Sequence, residues 1–154
     1  MIRQLLYRSG QLHEFTAQDM IRLLLQSRAH NAQRGIGGML LLRDGLFMQL
    51  LEGPVAAVDA LFARIAFDPR HCEVRLLVRD LCQAPLLPGW RMGWAEAPMD
   101  DLEPAFAGLD TDDRALALLE RAAGDPVAET MRAFLRNEPV ADGGLVPACA
   151  RSAR

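Results

Sequence analysis

An α+β fold, built as an antiparallel sheet with two helices on one face, is the class this sequence predicts. Three observations carry it. Short apolar runs alternate with stretches of helical periodicity in the order β-α-β-β-α-β. Asp44-Gly45, the dipeptide favoured in type I′ hairpin turns, joins two apolar runs within GMLLLRDGLFMQLLEG. Both helical stretches are bracketed by start and stop signals: Thr16 with Asp19 and then Gly35 for the first, Pro54 and then Asp68-Pro69 for the second.

In chain order, IRQLLY at 2–7 reads as a short buried strand, and RSGQLHEF after it supplies turn residues. A helix from Thr16 to about Arg34 carries Met20, Ile21, Leu23, Leu24 and Leu25 as a broad apolar face. The hairpin follows, and then a helix in which Val55, Val58, Leu61, Phe62 and Ile65 recur at helical spacing. CEVRLLVRDLC at 72–82 is the next strand, and after the Pro85 to Pro88 loop GWRMGWA at 89–95 gives a further short one. This is the split-βαβ, ferredoxin-like order, βαββαβ(β), over residues 1–97. Residues 98–138 form a helical extension, with short helices near 112–122 and 126–136 separated by Asp125-Pro126. Their apolar stripes, Leu116, Leu118 and Leu119 in one and Met131, Phe134 and Leu135 in the other, require a surface to dock on. The small, polar and glycine-rich segment 139–154 is expected to be disordered.

Composition removes several function classes. Of the 154 residues 51% are hydrophobic, yet no window holds the roughly 18 uninterrupted apolar residues of a membrane helix. The N-terminal apolar run is too short for a signal peptide, so a soluble, cytoplasmic protein is expected, with no membrane partner. Cys72, Cys82 and Cys149 show neither CxxC spacing nor an even count, which argues against a zinc site and a disulfide framework. The net charge is −3 and the 17 basic residues are scattered, which gives direct nucleic-acid binding no electrostatic footprint. All the basic residues are arginine, so Schiff-base chemistry, a Walker-type loop and any catalytic ammonium are excluded.

The polar outlier is Gln49, set in the apolar run GLFMQLLEGP. A buried amide must find partners or cost roughly 1–3 kcal/mol. In the ferredoxin-like order the first and third strands are neighbours at the centre of the sheet, which brings Tyr7 within reach of Gln49. From these two residues alone, a structural hydrogen bond in an ordinary core is as good a reading as a functional one. His30 and Asn31 lie toward the end of the first helix, and Arg64 and Asp68 stand four residues apart at the second. Taken singly, His30 and Asn31 read more readily as helix-end polarity than as a site, and Arg64 with Asp68 as a solvated ion pair.

Taken together, the segments LLYRS, SRAHNAQRGIGGMLL, GLFMQLLEGP, LFARIAFDPRH and GWRMGW fall in one family's order and spacing. Over about residues 1 to 96 the sequence resembles the BLUF family, blue-light sensors that use FAD. The resemblance implies a flavin held non-covalently between the two helices, over the central strands. Tyr7 matches the family's photochemical tyrosine, Gln49 its switching glutamine and Asn31 the asparagine at the polar edge of the ring. His30 occupies the preceding ring-contacting position, Ser27 a pocket-facing polar position, and Arg64 and Asp68 match flavin-contacting positions of the second helix. Trp90 and Met92 match the W-x-M of the last strand, whose side chains compete for the place beside the glutamine. Gly37 departs from the family by standing where a threonine is frequent, and Trp94 adds a second tryptophan at a variable position.

These residue types suit the chemistry the family implies. A phenol can give up an electron and a proton, and an amide can exchange donor for acceptor with little change of shape. The expected protein is a sensor and not an enzyme, with Met92 as a route from Gln49 to the C-terminal helices. With little chain after residue 98, output is expected to pass to a separate protein partner, and an apolar sheet face suggests a homodimer or higher oligomer. Two rivals share the topology: an acylphosphatase-like hydrolase, for which RSGQLHEF is a faint phosphate loop, and a non-flavin regulatory binding module.

Overall fold

The structure is a computed structural model that describes residues 1–11, 17–43, 45–69, 71–88, 91–96, 105–106 and 119–138. Its elements are β1 (Ile2–Gln11), α1 (Ala17–Arg34), β2 (Gly37–Arg43), β3 (Leu46–Gly53), α2 (Val55–Ala66), β4 (His71–Cys82), β5 (Arg91–Glu96), β6 (Ala105–Phe106) and α3 (Pro126–Leu135). The strands form one sheet in the order β4-β1-β3-β2-β5-β6. All neighbours are antiparallel except β2 and β5, which run parallel. The ferredoxin-like core is thus present, extended at one edge.

The differences from expectation lie at element ends. β1 continues past Tyr7 to Gln11 because Gly10 still pairs with Leu46 on one side and Cys72 on the other, although the apolar pattern has stopped. The two-residue β6 is too short to carry a periodicity. Thr16 and Asp44 lie outside the described residues, while Gly45 has the φ of +75° that the hairpin turn asks of it. Of the helix expected near 112–122, only residues 119–122 are described, and 119–121 are helical. Segment 139–154 lies outside the described residues.

Alternation along the strands sends side chains to two cores. Leu5, Tyr7, Leu40, Leu42, Phe47 and Leu51 face α1 and α2, packing with Val58, Leu61 and Phe62. Leu6, Met39, Leu41, Met48 and Leu50 face the other way, against Leu119, Val127, Met131, Phe134 and Leu135. Both faces of the central strands are covered, which is why they read as unbroken apolar runs. The docking surface that the C-terminal helices require is the sheet itself. The apolar face expected to be free for self-association is therefore occupied by α3 of the same chain.

Specific polar contacts fix α2 and α3. At the start of α3 the Asp125 carboxylate accepts from the N–H groups of Val127 at 2.8 Å and Ala128 at 3.2 Å. At its end the Arg43 guanidinium of β2 donates to the Leu135 carbonyl at 2.6 Å, a cation on the negative pole of the helix. Asp59 of α2 takes Arg3 of β1 at 3.0 Å and Arg79 of β4 at 3.2 Å, pinning α2 across two strands. Partial burial pushes the Asp59 carboxyl upward, but the hydrogen bonds and charges of the two arginines prevail and hold it below the usual carboxylate range. The stability this pair of contacts gives is present above an unfolded value of about 3.9 and is lost as pH falls through the depressed folded value. Asp59→Asn is therefore expected to flatten the acid limb of the stability curve, read from urea midpoints between about pH 2 and 6. An unchanged acid limb would remove Asp59 from that role.

Candidate functional site

The β1–β3 register sets Tyr7 directly opposite Gln49. Both point to the helix-covered face, both are buried, and the Tyr7 hydroxyl donates to Gln49 Oε1. Phe62 of α2 holds the phenol ring from above, its centroid 5.5 Å away and its plane tilted by 49°. The row continues on either side: Tyr7 pairs with Leu76 of β4, Gln49 with Leu40 of β2, and Leu40 with Trp94 of β5. One line of residues across the sheet thus joins the phenol and the amide to the backbone of the last long strand.

Burial pushes the Tyr7 phenol well above the ordinary tyrosine range, and the charge of Asp68 adds to it. The folded chain holds this proton at a pH where an exposed phenol, with a value near 10, would have lost it. The unfolded chain then binds fewer protons, so stability is unaffected below about pH 10 and falls above it. Tyr7 is the chain's single tyrosine, so tyrosinate absorption reports this group alone. The absorption is expected to appear only together with loss of the far-ultraviolet circular dichroism. Ionisation near pH 10 within an intact fold would contradict the burial argument.

The adjacent first-helix candidates Asn31 and His30 separate as helical neighbours must. Asn31 is buried, and its backbone carbonyl takes the Ile36 N–H at 2.9 Å. Ser27, half-buried, lies one turn before Asn31 on the same side of α1, whereas His30 is exposed. Arg64 is exposed on α2, and Asp68 is half-buried two residues beyond the end of that helix. Met92 lies on β5 beside the irregularity where the partner strand steps from Gly38 to Met39. Trp90 lies outside the described residues.

This donor set fits a flavin. The polar edge of the ring system alternates carbonyl acceptors with an N–H donor, and the amides of Asn31 and Gln49 each offer both kinds of group. Both amides are buried, where they would meet such an edge out of competition with water.

A second buried polar group was missed by the sequence reading. On the opposite face of the sheet Gln4 is fully buried and donates to the buried Glu52 carboxylate at 2.8 Å. Each stands beside a pair of buried leucines, Leu5-Leu6 after Gln4 and Leu50-Leu51 before Glu52, a signal of the kind that marks Gln49.

Comparison with known proteins bears directly on the site. The family model described as "Sensors of blue-light using FAD" matches residues 2–93. A photoactivated adenylate cyclase subunit beta-like protein of Euglena gracilis is 35% identical over 96 residues, 62% of this chain and 11% of that protein. The blue light- and temperature-regulated antirepressor BluF of Escherichia coli is 30% identical over 102 residues, 66% of this chain and 24% of that protein. The chain thus spans between about a tenth and a quarter of the length of these two relatives. The dark-state structure of BlrB, a BLUF protein, superposes with a TM-score of 0.63 at 31% identity, covering 88% of this chain and 96% of that one. A structure of Klebsiella pneumoniae BlrP1 with FMN and cyclic diGMP gives a TM-score of 0.71 at 28% identity, over 88% of this chain and 34% of that one. With a buried Tyr7–Gln49 pair at the centre of its sheet and the family model matched over more than half its length, the chain belongs to the BLUF family of FAD-using blue-light sensors.

Proposed function

We propose that the Tyr7–Gln49 hydrogen bond is the element that light rewires in this sensor. The observation that carries it is the buried Tyr7 hydroxyl donating to Gln49 Oε1 in the central strand pair, with the Asn31 amide on the helix above the same face. When bound, FAD supplies the blue absorption and an excited state able to accept an electron. Tyr7 would give up that electron while its Oη proton moves along the existing bond to Gln49 Oε1. When the electron and the proton have both returned to Tyr7, Gln49 would be left with its donor and acceptor ends exchanged, by rotation or tautomerisation, at little steric cost. Asn31 and Ser27 hold the polar edge of the ring, Asp68 approaches the phenol end, and the exposed His30 and Arg64 form the outer margin of the site.

The altered amide acts on β5 through Met92, with Trp90 as the other neighbour that the family pattern assigns to it, and from there on the C-terminal helices. Residues 1–97 form the sensing domain and 98–138 the extension that carries its state. The chain itself has no catalytic role. Its output passes to a separate protein partner in the cytoplasm, as the names of a photoactivated cyclase and a light-regulated antirepressor among its relatives suggest. No described helix is long and apolar enough to cross a membrane. Self-association as a homodimer or higher oligomer uses the β4 edge, where Leu76 and Leu81 are exposed, since α3 covers the second face.

The test is the visible absorption spectrum of the FAD-loaded chain in darkness, after blue light and after return to darkness. A flavin spectrum with a small, reversible red shift is expected. A chain that remains colourless after incubation with FAD would overturn the reading.

A further inference from the structure

The carboxylate of Glu52 has no place in the photochemical pair, yet it is among the most deeply buried polar groups of the chain, 3% exposed. It accepts three hydrogen bonds: from Gln4 Nε2 at 2.8 Å, from the Leu86 N–H at 2.7 Å and from the Leu87 N–H at 3.1 Å. Gln4 in turn offers its Oε1 to the Cys82 thiol at 3.6 Å, so the group is tied across β4, β1 and β3. The segment that Glu52 grips is Pro85-Leu86-Leu87-Pro88. Prolines have no N–H, so Leu86 and Leu87 supply the segment's entire stock of backbone donors, and both go to this one carboxylate.

The position of the grip matters more than its strength. Glu52 is three residues from Gln49 on the same strand, but alternation puts it on the opposite face. The segment it holds leads into β5, and Leu87 packs in the core that contains Val127 and Met131 of α3. We propose that Glu52 is a positioning residue that couples β3 to the 85–88 segment and to the face on which α3 docks, so that a change at Gln49 reaches α3 through this carboxylate. The inference rests on the reading of Tyr7 and Gln49 as the switch, and it supplies the step from one face of the sheet to the other. A carboxylate suits the task because it only accepts, and all three of its neighbours only donate toward it.

Glu52→Gln tests this. The amide nitrogen turns a donor toward at least one of the three donors, and the Leu86 and Leu87 amides are expected to exchange hydrogen about tenfold or more faster in darkness. Flavin binding and the light-induced red shift are expected to stay as in the wild type. In the wild type, light is expected to change exchange at Leu86, Leu87 and α3; in Glu52→Gln the change at α3 is expected to vanish. The exchanged pair Gln4→Glu with Glu52→Gln keeps composition and charge but leaves an amide facing Leu86 and Leu87, and it is expected not to restore the change at α3. A full light-dependent change at α3 in either variant would overturn the proposal. So would a wild type whose flavin shifts normally while Leu86 and Leu87 exchange alike in darkness and light, a result that needs no variant to fold. A wild type with no flavin shift would instead refute the underlying reading of the switch, and the proposal with it.

Discussion

Gln49→Leu is expected to bind FAD and to show no light-induced shift at all. Leucine fills nearly the same volume in a strand whose neighbours Met48, Leu50 and Leu51 are already fully buried, so the fold and the space over the sheet survive. What disappears is the acceptor of the Tyr7 hydroxyl and the group that can exchange donor for acceptor. Leaving the phenol without its partner costs about 1–3 kcal/mol, partly offset by burying leucine in place of an amide. The outcome is a modestly less stable flavoprotein that is blind. Absorption spectra in darkness and light check it, and a retained reversible shift would remove Gln49 from the switch.

Gly38→Ala is expected to cost more in stability than any other single methyl added to the described strands, about 4 kcal/mol or more. Gly38 has φ of +142°, and a Cβ there would lie 1.8 Å from the Leu50 carbonyl oxygen and 2.8 Å from its carbon. Both atoms are backbone of β3, so no rotamer change can relieve the contact. The partners must separate at the residue next to Gln49, and the sheet lacks the freedom to do so because Leu50 is paired with β1 on one side and β2 on the other and is fully buried. Urea unfolding of the variant measures the loss. A midpoint within a few tenths of a molar of the wild type would mean that β2 and β3 pair differently here.

The Tyr7–Gln49 pair was legible because two independent facts converge on it. The element order forces β1 beside β3, and a lone amide in an apolar run announces itself. The Glu52 group carries the same kind of signal, with Gln4 in IRQLLY and Glu52 in QLLEG, but polar residues near strand ends are common and need no explanation until burial is known. The covering of the second sheet face was half legible. An apolar stripe in 126–136 demands a surface, and an apolar sheet face demands a cover, but periodicity cannot say whether the chain's own helix or a second copy supplies it. Hydrogen bonds between distant segments, such as Arg43 to the end of α3 or Leu86 to Glu52, leave no mark on local pattern at all.

The most direct test of the account uses the chain's single tyrosine. Protein grown with ring-labelled tyrosine and loaded with FAD gives a light-minus-dark infrared difference spectrum in which any band moved by the label belongs to Tyr7. The account predicts such bands, shifted between the dark and lit states, and their return with the dark recovery of the flavin spectrum. A complete and reversible flavin shift with no label-sensitive band would contradict it, because the Tyr7–Gln49 bond would then be the same before and after light.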